Sequence, residues 1–138
     1  MAQYVPAIVK SAMFRRSARV VQAATVPYLS LKQGEGSTDA VQILQLALYN
    51  IQAHSESFPP QYKPKVGDTG NWVVFYAQDE YPSATFGKWT NFSVEAFQTQ
   101  SKKMKVDGMA GIETLPYLDE LIAYLESLGL TDNTPDLD

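Results

Sequence analysis

The residues of this chain that could take part in catalysis are a single histidine and a few adjacent carboxylates. His54 is the only histidine among 138 residues, and the chain has no cysteine. A catalytic zinc site usually needs three protein ligands, and a serine nucleophile needs a histidine base beside it. The sequence therefore predicts no metal site and no catalytic triad. It also has no glycine-rich phosphate loop, so no cofactor is expected.

Two pairs of neighbouring acids, Asp79 with Glu80 and Asp119 with Glu120, are the other candidates. A glycosidase needs two carboxyl groups held at a defined separation within a cleft. Asp119 and Glu120 are adjacent on a predicted helix and point in different directions, so with Glu126 they are interpreted as its solvated face. Adjacent acids in a turn, such as Asp79 and Glu80, usually face solvent as well. We therefore expect no catalytic residue and no enzymatic activity.

Charge is distributed unevenly along the chain, whose net charge is −4. Residues 1–30 form a basic N-terminal arm without any acid. Its candidates for binding an acidic neighbouring subunit are Lys10, Arg15, Arg16 and Arg19. Residues 7–24 could form a helix with a ragged apolar stripe. The arm is expected either to extend to a partner, to lie on an anionic membrane, or to pack on its own domain, as most such segments do.

The sequence also limits partners and location. An acidic body repels phosphates, so nucleic acid is not an expected partner. No apolar run approaches the roughly 20 residues that span a bilayer, and Arg15 and Arg16 interrupt the segment where a secretory signal would be apolar. We expect no membrane span and no signal peptide. Any role outside the cell would then depend on lysis, dedicated export, or delivery on a virus particle.

Three segments have the spacing of amphipathic helices, which begin near Asp39, Thr90 and Thr114. Asp39 with Gln42 resembles a capping box, Thr90 and Thr114 are predicted caps, and Gly129 is predicted to end the last helix. Apolar residues recur at intervals of three or four, which predicts a mainly α fold with one shared core. These residues are Val41, Leu44, Leu48 and Ile51, then Val94 and Phe97, then Leu118, Leu121, Ile122, Leu125 and Leu128.

A segment rich in proline and aromatic residues, about 55–84, separates the first two helices. The Pro and Gly residues that recur along this segment predict a loop containing one strand or a β-hairpin. The aromatic residues are expected to cover the helices as a satellite core. The alternative is an exposed surface that stacks on sugar rings or binds a protein. Residues 131–138 are predicted to be a frayed acidic tail.

A short pattern occurs twice, as Val41, two residues, Leu44 and Gln45, and again as Val94, two residues, Phe97 and Gln98. This pairing resembles the peptidoglycan-binding-like domain, a three-helix module with two related halves. The second half has the closest match, in Phe86, Gly87, Thr90, Val94, Phe97, Gln98, Val106, Asp107, Gly108, Ala110, Gly111 and Thr114. The resemblance covers about residues 31–128, interrupted by the long insert. It departs from the family pattern just before Phe86 and Gly87, where the family usually has an Asp and a Gly and this chain has Ser83, Ala84 and Thr85.

The resemblance implies a three-helix domain at 31–130 that binds peptidoglycan without catalysis. Its candidate ligand contacts are Trp72, Tyr81, Trp89 and Asn91, because aromatic faces suit sugar rings and amides suit peptide groups. Fold alone does not determine function. The alternative is a structural assembly protein of a virion or phage-tail-like particle (a decoration, tail or baseplate component) whose arm binds neighbouring subunits. A weaker third option is a targeting partner of a separate lytic enzyme.

Overall fold

The computed structural model describes residues 9–59, 75, 78–101 and 104–131. This part of the chain is mainly helical, and its only β pairing is an isolated bridge between Leu31 and Ala110. None of its helices is long and apolar enough to cross a membrane. The helices are α1 (Ala12–Arg15), α2 (Ala18–Thr25), α3 (Thr38–Ala53), α4 (Glu80–Ser83), α5 (Lys88–Ser101) and α6 (Thr114–Ser127), with a 3₁₀ turn at Ser55–Ser57.

The three long helices α3, α5 and α6 correspond to the three predicted amphipathic segments. Leu44, Phe97 and Leu121, one from each helix, are fully buried in the same hydrophobic core. Helix α3 packs against both α5 and α6. The prediction of a mainly α fold with one shared core is therefore confirmed.

Two of the predicted helix starts differ from the structure. Helix α3 begins at Thr38 after Ser37, and no side chain caps it. The Asp39 carboxylate accepts a hydrogen bond from Ser37 Oγ at 2.6 Å, which lowers the pKa of Asp39, so the predicted capping box is wrong. Thr90 lies within the first turn of α5 instead of preceding it. At the other end of the fold, Gly129 has a φ of 71° just after α6, as predicted for a C-terminal cap.

The described part of the basic arm, residues 9–30, is not extended. Helices α1 and α2 pack against α3 and α6, and both contribute side chains to the core. The predicted extended arm is therefore wrong for these residues, and the alternative of an arm that packs on its own domain is confirmed for them. The apolar stripe predicted for residues 7–24 is irregular because this segment forms two short helices, with a break at Arg16 and Ser17, instead of one longer helix. The buried apolar residues of the arm are Val9, Met13, Phe14, Val20, Ala23 and Ala24.

Two carboxylates of α6 hold this N-terminal segment. Asp119 is fully buried and accepts hydrogen bonds from the Lys10 amide (2.6 Å), the Ser11 amide (2.9 Å) and Ser11 Oγ (2.6 Å). Glu126 accepts from the first two amides of α1, those of Ala12 and Met13, at 2.9 and 3.0 Å. The prediction that these acids form a solvated face is wrong. They accept hydrogen bonds from backbone amides at the start of α1, which have no partner within that helix.

Much of the predicted insert lies outside the described residues, including Trp72 and the predicted strand or hairpin around it. Phe58 and Phe75, which are described, are both buried in the core. Helix α4 then leads directly into the turn before α5. The expectation that aromatic residues of the insert cover the helices is therefore confirmed for Phe58 and Phe75.

Candidate functional site

The two related halves share a buried arrangement of hydrogen bonds that we call a glutamine clamp. In the first clamp, Gln45 Nε2 donates to the Thr85 carbonyl at 3.1 Å and to Thr90 Oγ1 at 2.9 Å. In the second, Gln98 Nε2 donates to the Met109 carbonyl and to Thr114 Oγ1, both at 3.0 Å. Each clamp thus joins a helix to a carbonyl and to the threonine five positions after it. Both glutamines therefore tie a loop to a helix.

The clamps differ in how the glutamine oxygen is satisfied. Gln98 Oε1 accepts from the Asp107 and Gly108 amides, each at 3.0 Å. Gln45 Oε1 is buried and has no hydrogen-bond partner among the described residues. The equivalent amide is that of Ala84, which donates to the Tyr81 carbonyl at the end of α4. The second clamp is therefore the more completely bonded of the two.

The N-terminus of α5 is capped by a buried carboxylate. Glu80 Oε1 accepts from the Thr90 amide at 2.7 Å, from Thr90 Oγ1 at 2.8 Å and from the Gly87 amide at 3.2 Å, while Oε2 accepts from the Trp89 amide at 3.2 Å. A negative charge is favourable at a helix N-terminus, where amides lack partners within the helix. Gly87 is needed for this approach, because a Cβ there would collide with the Glu80 carboxylate. Glu80 is thus buried, contrary to the expectation that it faces solvent.

A groove of about 430 Å³ lies between residues 27–30 and residues 105–114. Gln98, Asp107 and Thr114 line it, so the second clamp forms part of its wall. Asp107 Oδ1 is itself fixed by hydrogen bonds from Gln98 Nε2 at 3.1 Å and from the Met109 amide at 2.9 Å. The polar part of the groove is therefore preorganised by bonds within the protein.

The opposite wall is held beside the clamp by a backbone bridge. Leu31 and Ala110 exchange amide–carbonyl hydrogen bonds, both 2.8 Å long. Gly111 allows the two segments to approach, because a Cβ at this position would collide with Ser30 Oγ. This requirement gives Gly111, part of the motif on which the resemblance depends, a steric role.

Arg19 supports the same wall from behind. Its guanidinium donates to the Leu29 carbonyl at 2.7 Å and binds the Glu35 carboxylate with two hydrogen bonds of 2.8 and 3.1 Å. The hydrogen bond from Arg19 lowers the pKa of Glu35, although partial burial opposes the shift. Arg19, predicted to bind a partner, is thus used within the protein to position the groove.

Tyr28 was not singled out by the sequence analysis, yet it is the most exposed aromatic residue of the described chain. It lines the groove with Pro27 and Ile112, its side chain is 100% exposed, and its φ is 70°. A left-handed conformation is uncommon for a tyrosine and costs roughly 1–2 kcal/mol. The sequence carried no signal for it, since Asn, Asp or Gly is the usual residue at such positions.

The predicted ligand contacts do not line this groove. Tyr81 and Trp89 are half-buried and pack against the core, and burial raises the pKa of Tyr81. Lys88 Nζ lies 5.3 Å from the centre of the Trp89 ring, a cation–π contact. The Asn91 side chain lies beside Gly108, close to the second clamp. Trp72 is outside the described residues.

The remaining predicted residues are dispersed. Lys10, Arg15 and Arg16 are exposed, and Arg15 Nε donates to the Val9 carbonyl at 3.1 Å. His54 is half-buried at the end of α3. Among the described residues, no group of three or more His, Asp or Glu side chains is placed to hold a metal ion.

Comparisons with protein-family models, with curated proteins and with solved structures found no match to this chain. Function is therefore inferred from the groove and from the clamps beside it.

Proposed function

We propose that this protein is a non-catalytic module that binds peptidoglycan or a similar cell-wall polymer through the groove between residues 27–30 and 105–114. The support from the sequence is the repeated glutamine pattern, which resembles that of peptidoglycan-binding-like domains. The support from the structure is a concave surface beside the second clamp, lined by both apolar and polar groups, as small-ligand sites commonly are.

The observation that carries this proposal is the exposed ring of Tyr28 at the groove. An aromatic ring that is free of packing within the protein is available to stack on a sugar ring or on a peptide group of a ligand. Its unusual backbone conformation is stabilised by its surroundings, since Arg19 binds the neighbouring Leu29 carbonyl. Strained residues held in this way are concentrated at binding sites.

A non-catalytic role is favoured because the strongest carboxylate candidates already have structural partners. Glu80 caps α5, and Asp119 binds the N-terminal segment. Cell-wall binding is preferred to the assembly role because that alternative depended on an arm reaching a neighbouring subunit. The described part of the arm packs on its own core.

The test is sedimentation of the full chain with purified sacculi at low salt, using wild type and Tyr28→Ala. Alanine keeps the Cβ and so tests the ring alone. Loss of one stacking contact is worth about 1 kcal/mol, so we expect at least roughly five-fold weaker binding.

Phe92→Ala is the matched control, because Phe92 is an aromatic residue of α5 that is 47% exposed and does not line the groove. Binding by this variant should equal that of wild type. The proposal is rejected if wild type stays in the supernatant, or if Tyr28→Ala binds as well as wild type. Association with purified virus or tail-like particles would then be the next measurement.

A further inference from the structure

We infer that the ligand of this groove is a peptide segment that carries both a free ammonium and a carboxylate, and not a neutral sugar chain. The inference deepens the proposed function and depends on it. It commits the groove to the peptide part of a cell-wall polymer. The evidence is the charge of the groove, its aromatic ring and its size.

Three charged side chains line the groove, namely Lys105, Asp107 and Glu113. Lys105 and Glu113 are exposed, and Asp107 is half-buried. Within the described part of the chain, Lys105 forms an ion pair with neither groove acid. A bound neutral sugar would leave these charges uncompensated as it displaced their water. A ligand with both signs of charge matches them instead.

The fixed geometry of Asp107 assigns the two signs to different places. Its Oδ1 is occupied by Gln98 Nε2 and the Met109 amide, which holds the carboxylate at the groove wall. Asp107 and Glu113, which we call the acidic part of the groove lining, are suited to an ammonium, and Lys105 is suited to a carboxylate. The exposed Tyr28 ring adds an attractive face for a cation or for the alkyl chain that bears it.

The volume agrees with a short peptide. About 430 Å³ lies at the lower part of the range of roughly 300–1,000 Å³ found for small-ligand sites. A segment of two or three residues fits such a space, with an ammonium and a carboxylate at its two ends.

The experiment is a titration of the isotope-labelled full chain, followed by the NMR shifts of its backbone amides. Three probes are compared: Nα-acetyl-Lys-D-Ala-D-Ala, its Nε-acetylated form without the ammonium, and the neutral tetramer of N-acetylglucosamine. We expect the first peptide to shift amides of residues 28–31 and 105–114. The ammonium-free form should bind about two- to five-fold more weakly, as for loss of one exposed ion pair, and the sugar should not shift these amides.

Glu113→Gln tests the acidic part, because Glu113 is exposed and makes no hydrogen bond that its loss would break. It should weaken binding of the first peptide by a similar factor and leave the ammonium-free form unaffected. Glu120→Gln, a change on α6 away from the groove lining, should alter neither. Equal binding of both peptides to wild type, equal or stronger shifts from the sugar, or no groove shifts from any probe would overturn the inference.

The two failures are separable. Absence of wild-type binding to sacculi rejects the proposed function and the inference together. Sacculus binding that depends on Tyr28, combined with no effect of Glu113→Gln or of ammonium acetylation, rejects only the inference.

Discussion

Ala84 and Gly108 occupy equivalent positions before the two clamps, and both have left-handed backbones, with φ values of 55° and 75°. Left-handed geometry costs a non-glycine residue roughly 1–2 kcal/mol, of which about 0.4–1 kcal/mol is offset by the lower entropy of the unfolded chain. Alanine at position 84 therefore still forms the left-handed turn, but the protein is less stable than it would be with glycine there.

The two positions should respond to substitution in opposite directions. We expect Ala84→Gly to raise the free energy of unfolding by about 0.5 kcal/mol. Gly108→Ala should lower it by about 1 kcal/mol or more, because the new Cβ would also collide with the Asn91 side chain. Urea denaturation measures both. A less stable Ala84→Gly variant would contradict this account of the turn.

The Arg19–Glu35 pair should make stability depend on pH. Arg19 lowers the pKa of Glu35 in the folded protein, so the contribution of Glu35 is complete above its ordinary pKa of 4.5 and is lost as pH falls through the lower folded-state value. Glu35→Gln should be about 1 kcal/mol less stable than wild type at neutral pH, with the difference shrinking below pH 4.5. Urea denaturation over this pH range is the measurement.

Glu95→Gln is the control for this pair, because the Glu95 carboxylate makes none of these bonds. A difference between wild type and Glu35→Gln that stays constant down to strongly acid pH would show that the loss comes from packing and not from charge. Such a result would remove Glu35 from the support of the groove wall.

At the scale of elements, the start of α5 depends on an acid from α4 and not on a residue of its own. Glu80→Gln keeps one acceptor oxygen but loses the other and the charge, so we expect it to be about 1–3 kcal/mol less stable. Asp79→Asn is the matched control. Asp79 is exposed with a φ of 62°, a conformation that asparagine adopts readily, so stability should change by less than about 0.5 kcal/mol.

Thermal or urea denaturation of both variants distinguishes the cap from a catalytic pair. Equal stability of Glu80→Gln and wild type would mean that the carboxylate does not cap α5. Glu80 would then again be a candidate for chemistry, together with Asp79.

At the scale of the whole molecule, the N-terminal segment and the three long helices share one core. Val9, Met13, Phe14 and Val20 are buried, and burial of four such side chains is worth roughly 6 to 12 kcal/mol. That is comparable with the whole stability of a domain, about 5–15 kcal/mol. Deletion of residues 1–30 should therefore abolish cooperative unfolding, as followed by circular dichroism.

A shorter deletion of residues 1–8 removes none of the described core and should leave a cooperative transition. Persistence of a folded domain without residues 1–30 would show that α1 and α2 are only an appendage. Because deletion of residues 1–30 is expected to unfold the domain, it cannot test whether the exposed charges of the arm contribute to binding. Point changes at Lys10, Arg15 and Arg16 are suitable, whereas removal of the arm is not.

The sequence by itself determined the three long helices and their common core. Each has apolar residues at intervals of three or four, and this local spacing is enough to predict a helix and its buried face. The repeated pattern also indicated that Gln45 and Gln98 are equivalent residues of two related halves. Neither the groove nor its exposed tyrosine followed from such local patterns.

Only the tertiary structure decided what the polar residues do. From the sequence, Glu80, Asp119 and Glu126 were predicted to face solvent. In the folded protein each accepts hydrogen bonds from backbone amides at the start of a helix. Arg19 was predicted to bind a partner, but its guanidinium binds Glu35 and the Leu29 carbonyl of the same chain. The physical reason is that hydrogen bonds between distant segments, such as those joining Asp119 to residues 10 and 11, leave no periodic signal in the chain.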